Sequence, residues 1–358
     1  MTAALLLLAY AGVLATAGTA SLRRAVWPRR APRLAILAWF TLSVSMIGSV
    51  LMAGLTVVMD TARGDGARPC DAPARWTCSP TVTTAGAAVA VAAGLAVLAI
   101  AARLLWSLTR TYAATSRSRR DQLDALAVLG TPLTGFRGGA VRAGGTTPAA
   151  ASRAAGGRED DRLGVTVIDH AAPAAYCLPG RHGPVVVTTA ALRALDDDRL
   201  AAVLAHERAH LCQRHHLLRT TAEALAAAFP WAPTLAAARD QVARLAELAA
   251  DDAAAKRSGR LTVAAALLAL AEAMPVTAPV LTAGAPALTA GGTATATRAH
   301  RLITGERPLG HVRVLVGLAA AVVVFSAPVA AIAAATSSTS STSGAGCCTT
   351  AQQTPFAP

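Results

Sequence analysis

Two histidines and a glutamate at helical spacing are the residues of this chain best suited to chemistry. They lie in residues 204–210, whose sequence LAHERAH contains an HExxH motif. On a helix, His206 and His210 are one turn apart on one face, so both imidazoles can reach a single metal ion. Glu207 then projects beside them, where its carboxylate can accept a proton from a metal-bound water. The motif therefore predicts a hydrolytic zinc site with Glu207 as the general base.

The flanks of the motif favour a helix. Three consecutive aspartates, 196–198, precede it, and negative charge stabilises a helix N-terminus. Leu200, Val203 and Leu204 then follow as an apolar stripe at helical spacing. We therefore expect the helix to start near these aspartates and to bury that stripe.

Two histidines are one ligand short, because a catalytic zinc site takes three protein ligands. Glu247 lies on a second predicted helix, about residues 235–256, and its carboxylate would complete a His2Glu set for one Zn2+ per chain. Asp251 is one turn further along the same face, where it can hold an imidazole N–H from behind. An isolated glutamate on a helix would instead be a solvated surface residue.

The elements that must carry this site belong to an unusually apolar chain. Of 358 residues, 54% are hydrophobic and 15% charged, and the mean hydropathy is +0.46. An ordinary soluble domain has about 25% charge, so the composition excludes a purely cytosolic globular protein, and it also excludes a disordered chain. Four apolar stretches are long enough to cross a bilayer as helices, at about residues 3–20, 34–59, 81–102 and 311–335.

The arginines predict which way these helices point. Five of them lie between the first and second stretches, five follow the third, and two precede the fourth. The positive-inside rule then places the long segment 103–313 in the cytoplasm of a bacterial cell, with the N-terminus, the 60–80 loop and the C-terminal tail outside. The first stretch has no basic residues before it, which favours a retained helix, and a cleaved signal peptide is the alternative.

The predicted organisation is a mainly α polytopic membrane protein with a small α+β metallopeptidase domain in the cytoplasm. It comprises a membrane region (1–110), a basic flexible linker (111–159), the peptidase domain (160–310), a fourth transmembrane helix (311–335) and a disordered outer tail (336–358). Cys70 and Cys78 fall in the outer loop, where oxidation permits a disulfide that the sequence alone leaves open.

Beyond these residues, the chain resembles membrane-bound zinc peptidases of the gluzincin type, specifically the M56 group that includes the beta-lactam-sensing transducers. The resemblance covers residues 174–255, with the YCLPG and GPVVVT segments, the HExxH helix, an FPWAP segment and the ELAADD segment. It implies that His206, His210 and Glu247 bind zinc, that Glu207 is the base and that Asp251 orients a ligand. Those transducers carry a sensor domain after the last span, whereas only residues 336–358 follow it here, so direct sensing of a beta-lactam is not expected.

The resemblance also bears on substrate binding. The Val/Thr content of Val185, Val186, Val187 and Thr188 predicts a short strand, and the resemblance implies that it is an edge strand along which a peptide substrate lies. His215 is expected to be structural. His300, in the basic segment before the last span, could be a transition-state donor or simply a solvent-facing residue.

These features lead to a main functional hypothesis and two alternatives. The main one is a membrane zinc endopeptidase that cleaves on the cytoplasmic side in regulated proteolysis or signalling, with a transcriptional repressor or the protein itself as substrate. The alternatives are a membrane-protein quality-control protease of M48 type and a non-catalytic transducer that keeps the fold. The expected partners are a protein or peptide substrate and the lipid bilayer. Direct binding of nucleic acid is not expected, because few aromatic residues could stack on bases.

Overall fold

The computed structural model describes residues 2–62, 84–132, 164–180, 183–274, 292–305 and 309–342. The chain divides into two compact units. The first comprises Met1–Ser21, Thr41–Ala102 and Gly317–Pro358, and the second comprises Leu22–Phe40 and Arg103–Val316. Cys70 and Cys78, and with them the predicted outer-loop disulfide, lie outside the described residues.

Long apolar helices build the first unit. In chain order they are α1 (Thr2–Val13), a π-helical turn (Leu14–Gly18) continuing into α2 (Thr19–Arg24), α3 (Pro32–Ala62), α4 (Thr84–Leu129) and, at the C-terminal end, α11 (His311–Thr342). By length and composition, four helices can cross a membrane: Thr2–Arg24, Pro32–Ala62, Thr84–Leu129 and His311–Ala331. These findings confirm the four predicted apolar helices and indicate a membrane protein.

A proline within α11 explains two polar contacts of the first unit. Pro328 has no N–H, so it cannot donate to the carbonyl of Val324 four residues earlier. That carbonyl instead accepts hydrogen bonds from the hydroxyls of Tyr10, at 2.9 Å, and Ser45, at 2.8 Å. The backbone group freed by the proline is therefore satisfied by side chains from two other helices, as an apolar environment requires.

The second unit carries a small mixed sheet. Its strands are β1 (Thr131–Pro132), β2 (Val165–Ile168), β3 (Ala175–Cys177) and β4 (Val185–Thr188), in the order β1-β2-β4-β3. Strand β4 pairs in parallel with β2 and antiparallel with β3. All four of its side chains are fully buried, which suits a run of β-branched residues in an internal strand.

The pairing of β4 corrects one prediction. The segment from Val185 to Thr188 is a strand, as predicted, but it is not an edge strand, because it has a neighbour on each side. Its backbone groups are therefore already engaged in the sheet. The strand at the edge next to β4 is β3, and the order was not visible in the sequence because the parallel partner β2 is separated from β4 by the whole of β3.

Six helices complete the second unit, namely α5 (Thr189–Ala194), α6 (Asp197–Cys212), α7 (His215–Ala228), α8 (Pro233–Ser258), α9 (Arg260–Glu272) and α10 (Gly292–Thr304). Helix α6 begins where the aspartates predict, because the Asp196 side chain accepts the N–H of Arg199 and caps it. Its predicted stripe of Leu200, Val203 and Leu204 is buried in a core shared with the sheet, α9 and α10.

A second core joins α3 to α7 and α8. Trp39 of α3, almost completely buried, lies in one cluster with Ala222 of α7 and with Val242 and Leu245 of α8. The start of α3 and the residues just before it thus pack onto α8, the helix that carries Glu247. The apolar stretch 222–238 contributes Ala222 and Ala238 to this core and is not among the candidate membrane helices.

Two predicted boundaries also change. Helix α4 continues to Leu129, so residues 111–129 of the predicted flexible linker are helical. The start of this stretch lies against α7, where Tyr112 hydrogen-bonds to Thr221 at 2.7 Å. One turn earlier, Ser107 donates to the carbonyl of Ala224 at the same distance. Helix α11 likewise extends to Thr342, into the tail predicted to be disordered. The rest of that tail lies outside the described residues.

The Trp39 core provides a test of how strongly α8 depends on its packing. Leu245→Ala should lower the free energy of unfolding by about 2–5 kcal/mol, because it removes a fully buried side chain and leaves a cavity. The change can be measured by chemical denaturation of the detergent-solubilised protein. Leu261→Ala, at a side chain that is 68% exposed, is the matched control and should change the stability by no more than about 0.5 kcal/mol. Equal losses in the two variants would contradict the assigned core.

Candidate metal centre

Three side chains from two helices converge on one point. The Nε2 atoms of His206 and His210, both on α6, are 3.1 Å apart. The Glu247 carboxylate on α8 approaches them with its Oε2 3.5 Å from the first nitrogen and its Oε1 3.6 Å from the second. Ligand atoms about 2.05 Å from a tetrahedral zinc ion are about 3.3 Å from each other, so the three side chains fit such an ion. Glu247 Oε2 is also buried without a hydrogen-bond partner among the described residues.

His206 is held from behind by a buried carboxylate. Its Nδ1 lies 3.1 Å from Oδ1 of Asp251, which is completely buried on α8 one turn after Glu247. An Nδ1–H that donates to this carboxylate leaves Nε2 unprotonated and directed at the metal position, which is the tautomer a ligand needs. Asp251 thus lies where the predicted orienting role requires it, and the role itself stays a prediction.

Asp251 is held in turn by an arginine from α10. Arg298 donates from Nε to Oδ2 at 2.8 Å and from Nη2 to Oδ1 at 2.6 Å, a two-bond arrangement typical of a strong arginine–carboxylate pair. Burial opposes the charge on Asp251, but the positive charge of Arg298 and its hydrogen bonds keep the pKa of the carboxyl below its usual value. The same carboxylate raises the pKa of the Arg298 guanidinium.

A separate chain of hydrogen bonds holds His210. Its Nδ1 is 3.0 Å from Nδ1 of His215, whose Nε2 is 3.2 Å from the side-chain oxygen of Gln213. The amide oxygen can only accept, so His215 donates from Nε2 and its Nδ1 accepts from His210. His210 therefore presents an unprotonated Nε2 to the metal position. Arg33 also donates to the Gln213 oxygen, at 3.0 Å.

Glu247 is ionised in spite of its burial. Burial alone would raise the pKa of its carboxyl, but His206, His210 and Arg298 lower it to about 2. Nη1 of Arg298 lies 3.2 Å from Oε2, and Nη1 of Arg219 lies 3.5 Å from Oε1. The third ligand is therefore a carboxylate at every physiological pH, aimed at the two histidines.

Glu207 has the environment of a general base. It is buried beside the histidines, and burial raises the pKa of its carboxyl to about 7, with the negative charge of Glu247 acting in the same direction. A base whose pKa is close to the working pH transfers protons most efficiently. Cys177 at the end of β3 hydrogen-bonds to Glu207, and burial raises the pKa of this thiol, so it remains a neutral donor.

The structure brings together most of the residues that the sequence singled out, namely His206, Glu207, His210, Glu247 and Asp251. It does not bring in His300, which is exposed on α10. Arg298 and Arg301, three residues apart, occupy the buried face of that helix, and His300 lies off that face. Val185 to Thr188 form the internal strand β4, and β3 lies between them and the open edge at which they were predicted to lie.

Sequence reasoning missed three participants: Arg298, Cys177 and Gln213. Arg298 lies in the basic segment before the last span, and Cys177 lies in the YCLPG segment, and nothing in either local pattern marks these residues as part of the site. The one signal for Arg298 was its type, because a buried carboxylate such as Asp251 needs a cationic partner somewhere in the chain.

Comparison with known families corrects the resemblance. Residues 147–282 match the family described as Peptidase family M48. No curated protein and no solved structure showed a significant match. The M56 resemblance is therefore wrong at the level of the family, because HExxH and the acidic segment that follows it occur in both groups and do not separate them. The match and the His-His-Glu geometry together indicate a metallopeptidase domain whose three ligands could bind a metal ion.

The hydrogen-bond chain behind His210 predicts a change in zinc affinity. His215→Phe keeps most of the buried volume but removes the acceptor for the His210 Nδ1–H, so zinc affinity should fall by about 10–100-fold. Competition with a chelator on the purified full-length protein measures this. His216→Phe, at the next residue and outside the chain of bonds, is the control. Unchanged zinc affinity in His215→Phe would refute the assigned role.

Proposed function

We propose that this protein is a zinc-dependent endopeptidase, anchored in a membrane by its long apolar helices, that hydrolyses extended polypeptide segments. The observation that carries the proposal is the convergence of His206, His210 and Glu247 on one point beside the buried Glu207. The match of the surrounding segment to Peptidase family M48 supports it. A protein that had kept only the fold would have no need of a complete ligand set with a base beside it.

The chemistry follows from the positions of these groups. When bound, zinc supplies Lewis acidity toward a water molecule and toward the scissile carbonyl. Glu207 accepts a proton from the attacking water on its carboxylate and later donates it to the leaving amine. Asp251 and His215 keep the two histidines in the tautomer that presents Nε2. The Cys177 thiol orients the Glu207 carboxylate from the sheet side.

The edge of the sheet offers a place for the substrate backbone. In the β3–β4 pair, Ala174 and Leu178 hydrogen-bond toward β4, so by alternation the N–H and C=O groups of Ala175 and Cys177 point to the open side. A peptide added as a further strand there would run past Cys177 and hence past Glu207. The proposed substrate edge is therefore that of β3, instead of the edge at β4 that the sequence predicts.

The same proposal places the peptidase unit on the cytoplasmic side. Its support is the arginine-rich segment between the first two candidate spans, which belongs to the same compact unit as the metal centre. Arg301 of α10 donates two hydrogen bonds to the carbonyl of Arg29 in that segment, at 3.0 and 2.8 Å.

Among substrates, we propose membrane proteins or their exposed segments, in the manner of quality control. The M48 match favours this alternative over the repressor-type substrate, which rested on the M56 resemblance. A peptidase held at the bilayer by its own helices would meet such segments at the membrane surface.

Two substitutions separate the base from the ligand. Glu207→Gln should lower the rate of proteolysis by about 10²–10⁴-fold, since it removes the proton acceptor, and should keep one zinc per chain. Glu247→Gln should lose both zinc and activity. The measurements are metal content of the purified full-length protein and cleavage of an unfolded protein such as casein.

Glu272→Gln is the matched control, because Glu272 is exposed on α9, and it should leave zinc content and cleavage unchanged. Full activity in Glu207→Gln with a normal melting curve would refute the assignment of the base. Comparing N-terminal fragments between cells with the wild type and cells with Glu207→Gln then identifies substrates.

The role of the β3 edge has its own test. Proline at Ala175 removes an outward N–H without breaking the β4 ladder, so Ala175→Pro should reduce kcat/KM by the worth of one hydrogen bond, about 2–12-fold, with little change in stability. Tyr176→Pro removes an inward N–H and should destabilise the sheet instead. If Ala175→Pro cleaves peptides as the wild type does, the substrate does not use this edge.

A further inference from the structure

A large cationic cavity lies beside the C-terminal half of α8. Its volume is about 710 Å³, and it is lined by residues of the second unit only. They come from the start of α3, the end of α8, the starts of α9 and α11, and α10. Six of the lining residues are cationic: Arg30, Arg33, Lys256, Arg257, Arg260 and Arg301.

Cations outnumber carboxylates among the described lining residues. Asp252 is the one acidic residue among the lining residues that the structure describes. Both of its oxygens already accept from Nη2 of Arg301, at 2.8 and 2.9 Å. The cavity therefore carries an excess of positive charge and favours an anion.

Arg301 provides a second and independent indication of a ligand. Its side chain is only 9% exposed, and it lines the cavity. Its Nη1 is buried and has no hydrogen-bond partner in the described part of the chain, although Nε and Nη2 are both engaged. A buried guanidinium donor without an acceptor is costly, and an anionic oxygen in the cavity would satisfy it.

The apolar part of the lining indicates which kind of anion. Leu34 lies in the first turn of α3, and Val314 in the first turn of α11, with Leu309 just before it. Both helices are long and apolar enough to cross a membrane. Cations and apolar side chains therefore meet in one cavity at the beginning of two candidate spans, which is where a phospholipid places its phosphate and the upper part of its acyl chains.

We propose that this cavity binds the headgroup of an anionic phospholipid. The phosphodiester lies among the arginines and Lys256, and the acyl chains follow Leu34 and Val314. An anion in this place also reinforces the contact between α8 and α10, because Arg301 already joins Asp252 to the carbonyl of Arg29. The proposal does not depend on peptide hydrolysis and can be tested without a substrate.

The test uses the full-length protein, purified in detergent and stripped of lipid. Native mass spectrometry measures retention of phosphatidylglycerol against phosphatidylcholine, and thermal melting gives a second readout. The wild type should retain phosphatidylglycerol preferentially and be stabilised by it. In Arg30→Gln/Lys256→Gln, the affinity for phosphatidylglycerol should fall by about fivefold for each cation removed.

Arg193→Gln/Arg239→Gln is the control, because it removes the same charge from residues outside the cavity. An equal loss in this control would reveal general attraction to charge and overturn the proposal, as would equal retention of the two lipids by the wild type. If the double variant does not fold, Lys256→Gln alone serves, since its side chain is exposed.

Soluble competitors distinguish the source of the anion. Millimolar inorganic phosphate or polyglutamate should leave the bound phosphatidylglycerol in place, because neither fills the apolar part of the cavity. Displacement by phosphate would mean that the cavity takes a soluble anion, and displacement by polyglutamate would mean that it takes an acidic polypeptide. Either result would overturn a lipid site.

Discussion

The site depends on one completely buried carboxylate. Asp251 has no access to water, so its charge must be matched by partners within the protein. Arg298 donates one hydrogen bond to each oxygen of this carboxylate. Nδ1 of His206 lies 3.1 Å from one of them, Oδ1. These contacts tie α6, α8 and α10 together at one point, so the orientation of a metal ligand is set by an ion pair behind it rather than by the rigidity of its own helix.

A second arginine–aspartate pair joins α8 and α10. Adjacent aspartates at positions 251 and 252 face different ways, and each takes one arginine from α10, with Arg298 and Arg301 one turn apart. These two ion pairs fix both the rotation and the position of α10 against α8. Helix α10, whose Arg298 lies 47 residues after Asp251, is therefore part of the candidate metal centre. Its second pair, between Arg301 and Asp252, belongs to the cationic cavity.

What the sequence predicted well was set by local geometry. The helical repeat alone puts His206 beside His210, and Glu247 one turn before Asp251, so these relations follow once the segments are recognised as helices. The order of the strands and the docking of α10 depend on contacts between distant segments, and neither the edge position of β3 nor Arg298 could be predicted. The family could not be predicted for a related reason. The HExxH motif and the acidic segment are shared by the M48 and M56 groups, and the longer segment that separates the two groups has no simple pattern.

Two arginines, Arg298 and Arg219, lie beside the Glu247 carboxylate and show one use of arginine in this chain. Arg298 and Arg219 lie against the Glu247 carboxylate, and Arg298 and the two histidines lower its pKa. An arriving cation must share the carboxylate with these guanidinium groups, and zinc affinity is therefore a balance between a preorganised site and competing charge. Arginine thus has at least two uses in this chain: Arg298 neutralises the buried Asp251, and other arginines stand at the ends of apolar helices.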